Sequence, residues 1–377
     1  MIIHVVKEGD SLYEIGKEYN VNYKQIAIDN EIPIDQDLVV GQTLIIIVNR
    51  NNNKYLNIKV NGYTFPNINS DFLNDVLPYL TYLSIFSYHV NYDGSLNLID
   101  DNELISLAKK YKVSPTMVIT NIGSGGRFDS DLAGNILNNE EVQNELIKNI
   151  IDMMITKGYT GLNIDFEYIY PEAKNAYINF LLKVKNEIEK NNYILSVALA
   201  PKTSDNQVGI LYEAHDYEKI GSIADYVIIM TYEWGYSGGP ARAVAPINLV
   251  ENVIAYAVTR IPPSKILMGI PNYGYNWTLP YIQGNLAKSI SNYDAVILAL
   301  NNNQRINYDT KAETPYFNYI DQEGVEHEVW FEDARSILAK LDLVLRYNLS
   351  GVSHWTIDRK FPQNYLVLKS LFNIIKE

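Results

Sequence analysis

Asn163, Asp165 and Glu167 alternate with Leu162, Ile164 and Phe166 in the run Gly158-Tyr159-Thr160-Gly161-Leu162-Asn163-Ile164-Asp165-Phe166-Glu167-Tyr168. Side chains of a strand point alternately to its two faces, so this run has one apolar face and one face that stacks an amide on two carboxylates. Carboxylates on an interior strand repel each other and lose hydration. Such an arrangement suits chemistry that needs a proton donor of raised pKa beside a carboxylate that stays charged. It points to a hydrolase site of the kind that cuts sugars.

The elements that must hold this run follow from the pattern around it. Strand-like segments are expected at residues 56–60, 82–88, 117–121, 161–167, 194–200, 226–232, 266–271 and 351–355. Amphipathic helices are expected between most of them, at 102–111, 140–156, 172–190 and 333–347 among others. Eight strands with crossover helices fit a closed (β/α)8 TIM barrel of the α/β class better than an open sheet. The stretch 275–330 is too long for a loop and reads as a small α+β insertion after strand seven. In such a barrel the C-terminal strand ends face the active site. Glu167 ends strand four, Tyr232 of Met230-Thr231-Tyr232-Glu233-Trp234 ends strand six, and Trp355 of Gly351-Val352-Ser353-His354-Trp355 ends strand eight. Packing alone does not account for an acid, a phenol and an indole converging there.

Composition narrows the classes. The chain of 377 residues is 47% hydrophobic and 20% charged, as for an ordinary globular protein. It has room for one large domain and a small one. No apolar run is long enough for a membrane span, and the N-terminus lacks the features of a secretory signal. With no cysteine, disulfides, thiolate metal sites and a cysteine nucleophile are excluded. A formal net charge of −13 argues against nucleic acid, whose phosphates require Lys and Arg. Thirty tyrosines suit stacking on sugar rings, although an AT-rich genome inflating Tyr with Asn and Ile explains them as well. The five histidines show no ligand spacing, and Asp165 with Glu167 lacks further ligands, so neither metal nor cofactor is expected.

Residues 1–48 form a unit of their own, in the order strand, helix, helix, strand (βααβ). A strand at 3–6 leads to the turn Gly9-Asp10-Ser11, with Asp10 expected as helix cap. Helices follow from Leu12 and at 23–29, and Gly41-Gln42 opens a strand at 43–48. The run from His4 to Ile15, Asn30, and the closing Gly41-Gln42-Thr43-Leu44-Ile45-Ile46 together resemble the LysM module. The resemblance implies binding to glycans containing N-acetylglucosamine, either peptidoglycan or chitin. It places the groove at Gly9, Asp10, Ser11 and Leu12 and near Ile32 and Pro33, although Gly9 and Asp10 serve equally as turn and cap. Residues 49–55 read as a polar linker, and 56–377 as the catalytic domain.

The barrel segment resembles glycoside hydrolase family 18. The family's strand-four motif, Asp-Gly-x-Asp-x-Asp-x-Glu, appears as Thr160-Gly161-Leu162-Asn163-Ile164-Asp165-Phe166-Glu167, and its strand-six Met-x-Tyr-Asp as Met230-Thr231-Tyr232-Glu233. The resemblance implies that Glu167 is the general acid and Asp165 orients the substrate acetamide. It also implies that Tyr232 hydrogen-bonds the acetamide carbonyl and Trp355 floors the cleaved-sugar subsite. Two departures stand out. Asn163 replaces the inner Asp and is expected to hydrogen-bond Asp165, which would then ionise more easily. Glu233 replaces the Asp after the tyrosine and is one methylene longer. An Asn at the inner position with an N-terminal LysM resembles the bacterial spore cortex-lytic branch of the family.

Weaker signals surround this set. Trp234 is expected to stack on sugar or to roof the barrel, while Asn272, Tyr273 and Trp277 after strand seven are candidate subsite residues. The loop Asn121-Ile122-Gly123-Ser124-Gly125-Gly126 reads as a tight turn rather than a binding loop, and His354 as structural. The leading expectation is a monomeric retaining N-acetylglucosaminidase of spore-cortex peptidoglycan, located at the spore coat and cortex or the cell wall. A chitinase or chitooligosaccharide hydrolase is the alternative, and a non-catalytic glycan-binding protein is a third reading from another class.

Overall fold

The computed structural model describes residues 1–48 and 56–377; the expected linker at 49–55 lies outside the described residues. The barrel consists of β1 (Leu56–Thr64), β2 (Tyr82–His89), β3 (Ser114–Thr120), β4 (Gly161–Asp165), β5 (Ile194–Leu199), β6 (Tyr226–Ile229), β7 (Ile266–Pro271) and β8 (Gly351–Trp355). Every neighbouring pair is parallel, and β8 closes on β1 with Val352 opposite Val60. Phe372–Ile374 adds beside the start of β1.

Alternation on β4 sorts its residues as the sequence requires. Leu162, Ile164 and Phe166 are fully buried in the layer between strands and helices. Phe166 stacks at 5.9 Å on Phe180 of the helix Lys174–Glu189. Burying each such side chain contributes roughly 1.5–3 kcal/mol, which offsets part of what it costs to turn Asn163 and Asp165 into the barrel. Crossover helices carry their own stop signals. In Glu140–Lys157 the Asn139 side chain caps the first turn, two glutamates follow it, and Gly158 ends the helix at φ 80°.

After β7 the chain makes an antiparallel five-stranded sheet, in the order Lys288–Ile290, Gly274–Thr278, Glu326–Trp330, Thr314–Ile320 and Asn307–Asp309, with the helix Asn292–Asn301. This insertion spans 274–330 and packs its own core around Phe317, Val329 and Phe331.

In the N-terminal module Ile2–Val5 pairs antiparallel with Thr43–Ile46, around the helices Leu12–Glu18 and Tyr23–Asp29. Ser11, not Asp10, caps the first helix, accepting from Glu14 N at 3.2 Å. Asp10 instead accepts from Lys7 N at 2.6 Å and pairs with His4 Nε2 at 3.0 Å, so it closes the turn before the helix. The module is seated on the barrel. Gln363 Nε2 donates to Thr43 O at 2.6 Å, Thr43 Oγ1 donates to Gln363 Oε1 at 3.0 Å, and Ile306 N of the insertion donates to Val40 O at 2.9 Å. Gly41, at φ +89°, lies so near that a Cβ there would stand 1.9 Å from Ile306 O. Glu31 and Lys360 add an ion pair at 2.8 Å.

Candidate active site

Three strand ends converge over the barrel mouth. Asp165 is the last residue of β4, and Glu167 stands two residues beyond it. Tyr232 lies just past β6, leaning on β7 where Gly269 leaves room: a Cβ at 269 would sit 2.8 Å from Tyr232 Cε1. Trp355 ends β8. Its ring is held edge-on by Phe86 (4.8 Å), Tyr63 (5.4 Å) and Phe65 (6.0 Å). All four face one cleft of about 550 Å³, with Tyr63, Phe86, Phe128, Tyr212, Met230 and Tyr275 among its other walls.

Burial sets the electrostatics. Asp165 is 5% exposed, and its Oδ1 has no hydrogen-bond partner. Loss of hydration pushes its pKa up, and that of Glu167 well up, reinforced by the Asp165 charge. Both shifts favour the protonated form, which suits one group to donate a proton and its neighbour to hold charge once something cationic or N–H-bearing arrives. Tyr232 is pushed far above its ordinary value by burial and the facing carboxylates, so it remains a hydroxyl donor.

Asn163 does not hydrogen-bond Asp165, contrary to expectation. It is fully buried, its Oδ1 accepts from Tyr63 OH at 2.8 Å, and its Nδ2 donates to Ser196 Oγ at 2.9 Å. The amide therefore braces β1, β4 and β5 and leaves Asp165 to ionise with more difficulty, not less. Glu233, at φ +67°, is accessible at the rim, but its carboxylate lies among phenol rings. Tyr273 OH and, at 3.0 Å, Tyr275 OH donate to it, and desolvation still raises its pKa. Trp234 lines the cleft. Asn272 and Tyr273 stand behind its wall, both buried. Asn272 Nδ2 is spent on Thr356 O (2.8 Å) and Arg359 O (3.0 Å), tying β7 to the chain after Trp355, while Tyr273 reaches the cleft through Glu233. Trp277 is buried, donating to Gly239 O at 2.9 Å.

Sequence reasoning passed over Asn121. Its fully buried side chain grips the main chain of Glu167 at both ends: Oδ1 accepts from Glu167 N at 2.9 Å and Nδ2 donates to Glu167 O at 2.9 Å. A third bond reaches Asp129 O at 3.0 Å. His215 supports the next link. Ala200 N donates to Nδ1, so Nε2 carries the proton and donates to Phe166 O at 3.0 Å; burial lowers the His215 pKa to about 4 and keeps it neutral. The signal available was an Asn at a strand end, a position the neighbouring glycines overshadowed. The loop turns at Gly126 (φ +69°), whose N donates to Gly123 O at 3.0 Å.

In the N-terminal module Gly9 (φ +83°), Ser11 and Pro33 are exposed, whereas Leu12 and Ile32 are in the module's core. Among the described residues no group of three His, Cys, Asp or Glu side chains is placed to hold a metal, and no helix is long and apolar enough to cross a membrane.

The family model described as Glycosyl hydrolases family 18 matches residues 54–360, and that of the LysM domain matches 4–46. The chain belongs to glycosyl hydrolase family 18 and carries a LysM domain; it is a glycosidase on a TIM barrel. It is similar to the cortical fragment-lytic enzymes of Bacillus cereus (41% identity, 100% of this chain and 99% of that protein) and Bacillus subtilis strain 168 (38%, the same coverage). The crystal structure of the Bacillus cereus spore cortex-lytic enzyme SleL superposes with a TM-score of 0.94 at 36% identity, covering 100% of this chain and 99% of that one.

Proposed function

We propose that the protein hydrolyses β-1,4 bonds after N-acetylglucosamine in spore-cortex peptidoglycan, with retention and without an enzyme nucleophile. The observation that carries the chemistry is the unpaired, buried Asp165 Oδ1 beside Glu167, facing Tyr232 and Trp355 in one cleft. An N-acetylglucosamine over Trp355 offers its acetamide N–H to Asp165 and its carbonyl to Tyr232. Glu167, kept protonated by burial, protonates the glycosidic oxygen while the acetamide oxygen attacks C1. Asp165 then stabilises the charge on the oxazolinium ring, and Glu167 takes a proton from the water that opens it. Glu233 and Trp234 contact sugar on the leaving-group side.

The relatives' names support the cortex as substrate, and the LysM domain supports binding to N-acetylglucosamine-containing glycan through Gly9, Asp10, Ser11 and Pro33 over a floor of Leu12 and Ile32. On this reading the enzyme works as a monomer at the spore cortex or cell wall. Mass spectrometry of cortex fragments digested by the wild type and by Glu167→Gln tests the assignment. The wild type releases products ending in N-acetylglucosamine, and the variant falls by about two to four orders of magnitude. Identical fragments at equal rates from both rule out Glu167 as the acid.

A further inference from the structure

A second pocket of about 440 Å³ opens beside the cleft, lined by Phe65, Asn67, Phe72, Thr356, Asp358 and Arg359 among others. Phe65, 39% exposed, is the wall it shares with the Trp355 cage. Its polar groups are a matched pair. Asp358 Oδ1 accepts from Thr64 Oγ1 (2.9 Å) and Phe65 N (3.1 Å), while Oδ2 is buried without a partner. Arg359 has no carboxylate partner among the described residues. Its Nη1 donates to Ser289 Oγ at 2.7 Å, and its guanidinium lies 5.9 Å from the Tyr273 ring centroid. An oriented guanidinium without a carboxylate partner among the described residues, beside the cleft of a chain of net charge −13, calls for a ligand oxygen.

Topology says which part of a glycan arrives there. In the closed order β1 to β8, β4 stands across the barrel from β8 and β1. Glu167 protonates the leaving oxygen on the β4 side, so the chain leaves toward Glu167, Tyr212 and Trp234. Its non-reducing part runs the opposite way, over Trp355 toward Phe65, Asp358 and Arg359. In a polymer alternating N-acetylglucosamine with muramic sugars, the unit before the cleaved N-acetylglucosamine is a muramic sugar. That sugar differs from N-acetylglucosamine by the lactyl group on O3, present as a carboxylate or closed to a lactam.

We propose that this pocket receives the muramic sugar on the non-reducing side of the cleaved bond, with Arg359 binding its lactyl oxygen and Asp358 accepting its amide N–H. Arg359 is thereby the residue that selects alternating peptidoglycan over chitin, an inference that rests on the cleavage position proposed above. The test compares kcat/KM on two probes, chitotetraose and a peptidoglycan tetrasaccharide beginning with N-acetylglucosamine and alternating with muramic acid, for the wild type, Arg359→Ala and Arg359→Gln. The peptidoglycan-to-chitotetraose ratio falls about 10- to 100-fold in both variants, the worth of one hydrogen bond to a charged group. An unchanged ratio, or an equal loss on both probes, overturns the assignment of Arg359. A wild type inactive on both probes overturns instead the proposed cleavage after N-acetylglucosamine from which the argument starts.

Discussion

Replacing Asn121 with alanine removes the grip on Glu167 without touching its carboxyl group. Three hydrogen bonds disappear, two to the Glu167 main chain and one to Asp129 O. At roughly 1 kcal/mol net each they sum to about 3 kcal/mol, and a Glu167 N–H left dry adds about 1–3 kcal/mol. For a barrel of this size the total of about 4–6 kcal/mol lowers Tm by about 6–9 °C. The rate effect is separate. Glu167 remains but its backbone is free to shift, and a misplacement near 1 Å costs about 100-fold in rate. The expected outcome at a temperature well below Tm is a kcat lowered by about 10- to 100-fold with KM nearly unchanged. The basic limb of the pH profile moves to lower pH, because water entering beside Glu167 relieves the desolvation that raises its pKa. Steady-state kinetics on a chromogenic chitooligosaccharide across pH, with a melting curve for each protein, measure all three. If Tm falls while kcat and the pH limb stay at wild-type values, Asn121 is a brace of the loop and does not position the acid.

Two further perturbations follow from the same geometry. Burial raises the pKa of Asp165 and Glu167, so the folded state binds protons more tightly than the unfolded chain, and stability declines as pH rises from the ordinary carboxylate range through the raised values. Glu167→Gln removes that penalty: its Tm should exceed the wild type's at pH 8 and the gain should vanish near pH 4, as read by calorimetry, whereas a difference independent of pH excludes this origin. Gly41→Ala puts a Cβ 1.9 Å from Ile306 O at a residue with φ +89°, so the LysM module should undock. Small-angle scattering would then show a larger radius of gyration with chitooligosaccharide turnover retained, and an unchanged radius refutes the close fit.

The barrel and the principal cleft residues were legible because period-two alternation and the spacing of β4, β6 and β8 are local properties of the chain. The range expected for β7 coincides with the strand, as does that for β8. Strand four stops at Asp165 because Glu167 is held by Asn121 rather than by a neighbouring strand. What stayed hidden depends on partners distant in sequence. Gln363 meets Thr43 across 320 positions, and no pattern within residues 1–48 marks a docking surface. Asn272 looked like a subsite residue because it follows a barrel strand, yet its amide is taken by carbonyls 84 and 87 positions away.

Asn163 shows most clearly why such partners matter. Read along β4, its nearest polar neighbour two positions on is Asp165, and an amide next to a carboxylate reads as a hydrogen bond that lowers the acid's pKa. In the barrel, side chains from adjacent and opposite strands compete for the same amide. Tyr63 from β1 and Ser196 from β5 take its acceptor and one donor. Because the Tyr63 hydroxyl fixes the carbonyl end, the amide cannot turn to serve Asp165 without stranding a buried phenol, at a cost of about 1–3 kcal/mol. Asp165 Oδ1 is therefore left unsatisfied in the free protein. A buried acceptor in that state gains more from an arriving N–H than one already bonded, so the brace that makes Asp165 harder to ionise also fits it for the acetamide-holding role proposed above. An inner carboxylate in place of Asn163 would add a third acid to the same buried run and compete with Glu167 for Asp165's proton. On the proposed mechanism, the amide limits that exchange to the one pair assigned to the glycosidic bond.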